Sequence, residues 1–295
     1  MLWQSRVFLI LAFAAVASLT GCTQHNELGS TDNPLKIALT PGKEAAALLM
    51  SGNKLRDYLR QEMKVQAVVS VPASYIAVVE ALGSQQTDLA ILNTLGYLIA
   101  HKKYKAQAVF TLTNQGRSVY KGQIIAHQNG VKTLQELNGK KFAFVDPISS
   151  SGYLLPKNLF EEKNIKLKNP IFAGRHDNVV AMVYNKQVDA GATFYLPPEP
   201  DGRPYDARRL VEKIYPDVFQ KVVIIGYTQE VPNEAMVVRA GLEPGFQQRL
   251  LQTLEKWIAT PDGQATLKEL YGCDGLKPSK DEDYDSARKI FPNSY

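Results

Sequence analysis

The feature that most constrains this chain is the regular alternation of short β-rich runs with longer runs of helical period. Lys36–Leu39, Gln66–Val71, Leu89–Asn93 and Ala106–Leu112 read as strands, separated by helical stretches through Ala45–Leu49, Leu55–Met63, Ser74–Leu82 and Leu95–Lys103. A helix start is placed at Thr40 as a possible cap. A second series follows: strands Gly122–Ala126, Lys141–Val145, Pro170–Ala173, Ala190–Phe194 and Val222–Tyr227, with helices at Thr133–Leu137 and from His176 through Tyr184. Strand Ala235–Arg239 and helices Gly245–Ala259, Pro261–Tyr271 and Asp281–Ile290 close the chain. Alternation of this kind marks an α/β chain built on doubly wound parallel sheets, whose sites lie at the carboxyl ends of strands. Thr40, Asn93–Tyr97, Ser149–Ser151 and His176 all fall at such strand exits.

The richest of these exits is Asp146-Pro147-Ile148-Ser149-Ser150-Ser151-Gly152-Tyr153. A helix start leaves backbone N–H groups without partners and carries partial positive charge, so three hydroxyls there suit an oxyanion. The same serines also serve as ordinary helix caps, and spacing alone leaves both roles open. Pro156 belongs in a first helical turn, so the regular helix starts a few residues after the serines. Enzyme signatures are missing: there is no Gly-x-Ser-x-Gly elbow, Walker loop, His-Glu-x-x-His or paired-cysteine metal spacing, so the reading calls for no cofactor and no metal.

The run Asp146–Pro156 resembles the signature of the phosphate/phosphite/phosphonate-binding (PhnD-like) proteins of ABC importers. Five further stretches resemble that family in the same order: Leu39-Thr40-Pro41, Asp88–Tyr97 with His101, Arg175-His176-Asp177, Val188–Thr193 and Val231-Pro232-Asn233. Together they span about residues 35–270. The resemblance implies a type II periplasmic-binding-protein-like fold, two α/β domains around a ligand cleft. It implies Ser149, Ser150 and Ser151 as hydroxyl and amide donors, with His176 from the same lobe and Tyr97 and the Thr40 region from the other. By composition alone Tyr97 reads equally as core, His101 as structural, and Asp189 as an orienting carboxylate. Members that take aminoalkylphosphonates carry a carboxylate after the Val-Asp-Ala strand. Here Thr193–Pro197 offers none, which predicts that phosphate, phosphite or an alkylphosphonate binds better than an aminoalkylphosphonate.

The N-terminal residues lead to the expectation that the chain is exported. Arg6 and the apolar run Val7–Ala17 read as an export signal too short to span a bilayer. It ends in Leu19-Thr20-Gly21-Cys22, which resembles a bacterial lipobox and makes Cys22 the lipidation site. Cleavage removes Arg6 alone among charged side chains, lowering the net charge from +5 to +4, a mild excess that favours an anionic ligand or membrane. The basic residues are dispersed, so no nucleic-acid partner is expected. Cys273 then stands alone as a buried thiol with no disulfide partner.

The expected organisation is a signal peptide over residues 1–21 and a tether over 22–34. Domain 1 comprises 35–120 and 232–295, and domain 2 comprises 121–231; 196–216 is a surface excursion without assigned chemistry. The expected function is a monomeric, lipid-anchored, non-enzymatic receptor that captures a small phosphorus oxyanion and delivers it to an ABC permease and its ATPase. A ligand sensor of the same fold and a serine hydrolase are the alternatives, the latter lacking a visible base beside the serines.

Overall fold

A computed structural model describes residues 27–292; Cys22 and the signal segment lie outside the described residues. The first series runs β1 (Leu35–Leu39), α1 (Ala45–Met63), β2 (Ala67–Ser70), α2 (Tyr75–Gly83), β3 (Leu89–Leu92), α3 (Thr94–Tyr104) and β4 (Gln107–Thr113). The second runs β5 (Val119–His127), β6 (Lys141–Phe144), α4 (Leu155–Glu162), β7 (Lys168–Phe172), α5 (His176–Tyr184), β8 (Ala190–Tyr195), α6 (Val218–Lys221) and β9 (Val222–Pro232). The chain then forms β10 (Ala235–Val238), α7 (Pro244–Ile258), α8 (Pro261–Tyr271), β11 (Gly275–Pro278) and α9 (Asp285–Ile290).

Two sheets result, ordered β11-β4-β10-β3-β1-β2 and β7-β6-β8-β5-β9. One side of each sheet is parallel as expected: β1 pairs in parallel with β2 and β3, and β6 with β7 and β8. The strands that carry the chain between sheets are not. β10 runs antiparallel to β3 and β4, and β5 runs antiparallel to β8 and β9. A strand entering from the neighbouring sheet arrives at the opposite end from one fed by a crossover helix, so it runs against its neighbours.

Each sheet is covered on both faces, and the fully buried β3 (Leu-Ala-Ile-Leu) follows from that. In the first, Leu39, Leu55, Phe246 and Trp257 pack on one side and Val78, Leu82, Tyr97 and Tyr284 on the other. In the second, Val145, Val179 and Val183 lie opposite Phe142, Phe144 and Phe160. Cys273 is a free, buried thiol, as expected.

Several local expectations change. The cap of α1 is Glu44, whose carboxylate accepts from the N–H groups of Ala46 and Ala47, not Thr40. The helix runs straight through Gly52, because a β-carbon there would stand 2.7 Å from Leu39 Cδ1; glycine lets the helix sit close on the sheet. The stretch expected as a tether is docked over its described part. Leu28 packs on the core, and the Gln66 N–H donates to the Gly29 carbonyl at 2.6 Å. Thr133–Leu137 shrinks to a 3₁₀ turn at Gln135–Leu137. The short edge strand β11, bounded by Gly275 and Pro278, carried no strand signal and exists because it pairs with β4.

The two crossings between sheets lie side by side. Asn233, fully buried, donates its side-chain amide to the carbonyls of Leu112 (2.9 Å) and Arg117 (3.1 Å), and its N–H donates to Ser118 O at 2.9 Å.

Candidate functional site

Between the sheets lies a cleft onto which strand exits of both open. Thr40, Ser149, Ser151 and His176 line it, as expected, together with Tyr75 and Tyr120. The serine turn is pinned from behind: the Ser149 hydroxyl oxygen accepts the Gly152 N–H at 3.1 Å, closing a π-type turn at Ser150–Leu154. Pro156 falls in the first turn of the regular helix that follows, where its missing N–H costs nothing. Ser149 therefore acts as a cap and still faces the cleft, with its hydroxyl beside the Tyr75 phenol; Ser151 stands beside Tyr120. Capping and ligand presentation, open from spacing alone, coincide in this residue.

Ser150 and Tyr97 are not brought into the cleft. The Ser150 oxygen accepts from Leu95 N at 3.2 Å and from the Asn93 side-chain amide at 3.3 Å, fully buried. It braces the start of α3 against the serine turn, across the two lobes. Tyr97 is fully buried on the far side of α3, its phenol donating to Asp281 at 2.6 Å and its ring 4.5 Å from that of Tyr284. An 11-residue helix that is buried all along its first two turns left this side chain no open face. His101, bonded through Nδ1 to Ala106 O at 2.9 Å, and Asp189, accepting Lys141 N–H at 2.8 Å, are structural.

Thr40 lines the cleft with its donors already engaged. Its hydroxyl donates to Ile91 O at 2.6 Å and its N–H donates to the Tyr271 phenol oxygen at 3.0 Å. His176 opens α5, and its backbone N–H donates across the cleft to Gly42 O at 3.1 Å. Gly42 permits that approach, since a β-carbon on it would press within 3.2 Å of the Tyr75 hydroxyl. The His176 ring packs edge-on to Phe194 and its Nδ1, buried, has no partner. Burial alone pushes its pKa down to about 3, so the imidazole is neutral. An unpaired buried polar atom is costly and points to a group the site receives.

Three contributions escaped the sequence reading. Tyr75 and Tyr120 add phenols; Tyr75 follows the Ser74 cap of α2 at a strand exit, the same signal that singled out the serines. Glu234 also lines the cleft, which overturns the expectation that no carboxylate reaches the site. It makes no ion pair among the described residues, and burial lifts its carboxyl to about 7. Last, the excursion at 196–216 is not a bystander: Leu196, Tyr205, Asp206, Arg209 and Leu210 face the cleft. It reaches across to α8, where Lys268 pairs with Glu199 at 2.9 Å and carries the Tyr205 hydroxyl on its carbonyl at 3.3 Å.

The family described as "ABC transporter, phosphonate, periplasmic substrate-binding protein" matches residues 37–284. The "Phosphate-import protein PhnD" of Mycolicibacterium smegmatis is 28% identical over 175 residues, covering 54% of this chain and 54% of that protein, so the chain spans about half the length of this curated relative. Among solved structures, the binding protein component of an ABC phosphonate transporter from Pseudomonas aeruginosa superimposes with a TM-score of 0.77 at 17% identity, over 88% of this chain and 86% of that one. PhnD1 from Prochlorococcus marinus, in complex with methylphosphonate, gives 0.74 at 18% identity over 88% and 97%. With the type II fold in place, a cleft at the strand exits and a family match over most of its length, this chain belongs to the phosphonate periplasmic substrate-binding proteins of ABC transporters.

Proposed function

We propose that the protein captures a small phosphorus oxyanion, phosphate or a phosphonate, between its two lobes and hands it to an ABC permease. The observation that carries this reading is the unpartnered Nδ1 of His176 in a cleft that also presents the hydroxyls of Ser149 and Ser151 and the phenols of Tyr75 and Tyr120. Each hydrogen bond to a charged group contributes roughly 1.5–3 kcal/mol. Micromolar affinity takes about 8 kcal/mol net of association costs. Donors from one lobe alone fall short, so both must engage. Glu234, whose carboxyl burial lifts to about 7, adds in its protonated form a donor to a phosphorus-bound oxygen.

The lobes in this reading comprise 35–120 with 232–295, and 121–231, bounds that the sheets shift by two residues or fewer, since Val119, Tyr120 and Pro232 pair within the second sheet. The paired crossings at Asn114–Ser118 and Pro232–Glu234 serve as the hinge. The protein acts as a monomer held to the membrane through lipidated Cys22, which lies outside the described residues; among those described no helix is long and apolar enough to cross a membrane. Neither cleft serine bonds to His176, and no carboxylate orients its imidazole among the described residues, so the base of a serine hydrolase is not assembled.

Calorimetric titration of the purified chain with phosphate and with methylphosphonate tests the proposal. Saturable one-to-one binding of either without turnover supports it; failure of both to bind at millimolar concentration refutes it.

A further inference from the structure

Both ends of the segment that follows β8 are fastened to the second sheet. β8 pairs with β5 as far as Tyr195. From Asp206 onward the chain is tied down again: the buried Asp206 carboxylate meets Arg208 at 2.7 Å and accepts from the Gln123 side-chain amide at 3.1 Å, and Arg208 donates to Val222 O at 2.9 Å. The 3₁₀ turn Ala207–Val211 then packs Ala207 and Val211 into a core shared with Val179 and Val183.

Between these two fastenings, Leu196 to Tyr205 leave the second sheet and lie on α8, whose Leu267 and Leu270 belong to the core of the first. Glu199, its side chain only 12% exposed, pairs with Lys268 at 2.9 Å, and the Tyr205 hydroxyl donates to Lys268 O at 3.3 Å. The Gln115 side-chain amide, at the crossing between the sheets, donates to Pro198 O at 2.9 Å. Leu196 and Tyr205 press on Gly272, where a β-carbon would stand 2.5 Å from Leu196 Cδ1 and 3.2 Å from Tyr205 Cε1. Gly272 ends α8 at φ 73°, so glycine serves there both the helix end and the close approach of the strap.

The strap reads Leu-Pro-Pro-Glu-Pro-Asp-Gly-Arg-Pro-Tyr. Its prolines fix φ, and its tip closes on itself: Glu199 N–H donates to Arg203 O at 2.9 Å, and Arg203 Nε to Asp201 at 2.8 Å. A segment with so little freedom loses little entropy when it docks. Leu196 and Tyr205 also line the cleft, so docking completes the cleft wall, whereas Glu199 and Gln115 stand outside it. The two walls touch directly as well, through His176 N–H to Gly42 O at 3.1 Å and the Asn93 amide to Ile148 O at 2.8 Å. A strap held at both ends by the second sheet cannot follow the first when those walls part, so opening breaks its grip on α8.

Resting on the oxyanion reading above, we propose that residues 196–205 form a latch that docks on α8 when the cleft closes over its ligand. Glu199 and Gln115 are positioning residues: they touch no ligand, and they set how fast the phosphorus oxyanion leaves. The latch docks after the ligand has entered, so weakening it accelerates release without slowing capture.

Two measurements test this. The first is release of radiolabelled phosphate or methylphosphonate, whichever binds, into an excess of the unlabelled compound, combined with calorimetric affinity. Glu199→Gln/Gln115→Ala removes the ion pair and the bond to Pro198 without touching the cleft lining; its off-rate rises at least fivefold while its on-rate stays within twofold of the wild type. Glu80→Gln, which cuts the Glu80–Lys103 pair inside the first lobe, changes neither rate. The second is amide hydrogen exchange of the wild type, which needs no variant and decides the matter should the double variant fold poorly. Saturating ligand slows exchange over 196–205 at least tenfold. If ligand binds but the variant's off-rate stays within twofold, if its loss of affinity lies in the on-rate, or if the strap is equally protected with and without ligand, the latch is overturned while the oxyanion reading stands. If neither compound binds the wild type, the oxyanion reading itself fails and the latch with it.

Discussion

Replacing Glu234 by glutamine isolates the ionisation of the one carboxyl that the cleft buries without a cation. Burial raises its pKa from 4.5 to about 7, so the folded protein retains a proton that the unfolded chain releases. The sign follows from that order. Below pH 4.5 both states are protonated and nothing is lost; as pH climbs to 7 the unfolded state gains by ionising while the folded state cannot, and stability falls. A shift of this size corresponds to at most about 3 kcal/mol above pH 7, and residual water at the cleft wall reduces it to about 2 kcal/mol. Glutamine keeps a neutral, hydrogen-bonding side chain at every pH. Urea unfolding of the wild type and Glu234→Gln without ligand, at pH 5 and pH 8.5, reads the difference with all other titrations cancelling. The variant's stability relative to the wild type rises by about 2 kcal/mol between the two pH values. A gap that stays constant would mean that Glu234 ionises like an exposed glutamate, and its proposed role as a neutral donor to the oxyanion would go with it.

Removing both cleft hydroxyls in Ser149→Ala/Ser151→Ala weakens phosphate or methylphosphonate binding by roughly a hundredfold, about 2.7 kcal/mol, in calorimetry; unchanged affinity would refute the pocket. Ser150→Ala leaves the Leu95 N–H and the Asn93 amide short of an acceptor in a buried position, so it lowers unfolding stability by about 1–3 kcal/mol, and a neutral result would show that the brace is dispensable. Tyr97→Phe deletes the bond to Asp281 and changes ligand affinity less than twofold; a tenfold loss would restore Tyr97 to the site. Ligand makes the protein more compact in solution scattering, and identical profiles with and without saturating phosphate would count against lobe closure.

What could be read from the chain alone follows the physics of short range. Strand and helix periodicity is a property of ten neighbouring residues, and it located the elements of both series and the serine turn at its strand exit. The donors at that turn were legible for the same reason: a capping serine and the N–H groups it serves lie within three residues of each other. The ordered match to a known family supplied the fold, and it joined the strand-exit position of His176 in singling that histidine out.

Only the tertiary structure decided which side chains share the cleft. Ser149, Ser150 and Ser151 are equivalent in sequence, yet Ser150 points to the start of α3, 55 residues away, because the two lobes meet there. Tyr97 follows a strand exit just as Tyr75 does, but all of the first two turns of α3 are buried and its phenol is spent on Asp281. Glu234 and Arg209 reach the site from the link between β9 and β10 and from a proline-rich excursion, segments whose local sequence speaks of hinge and surface. A binding cleft is assembled from residues far apart in the chain, such as Ser150 with Leu95, 55 residues away, and Thr40 with Tyr271, 231 residues away. Burial, desolvation and unpaired charge arise only when those pairs meet, and these are the quantities that convert a list of polar residues into a site.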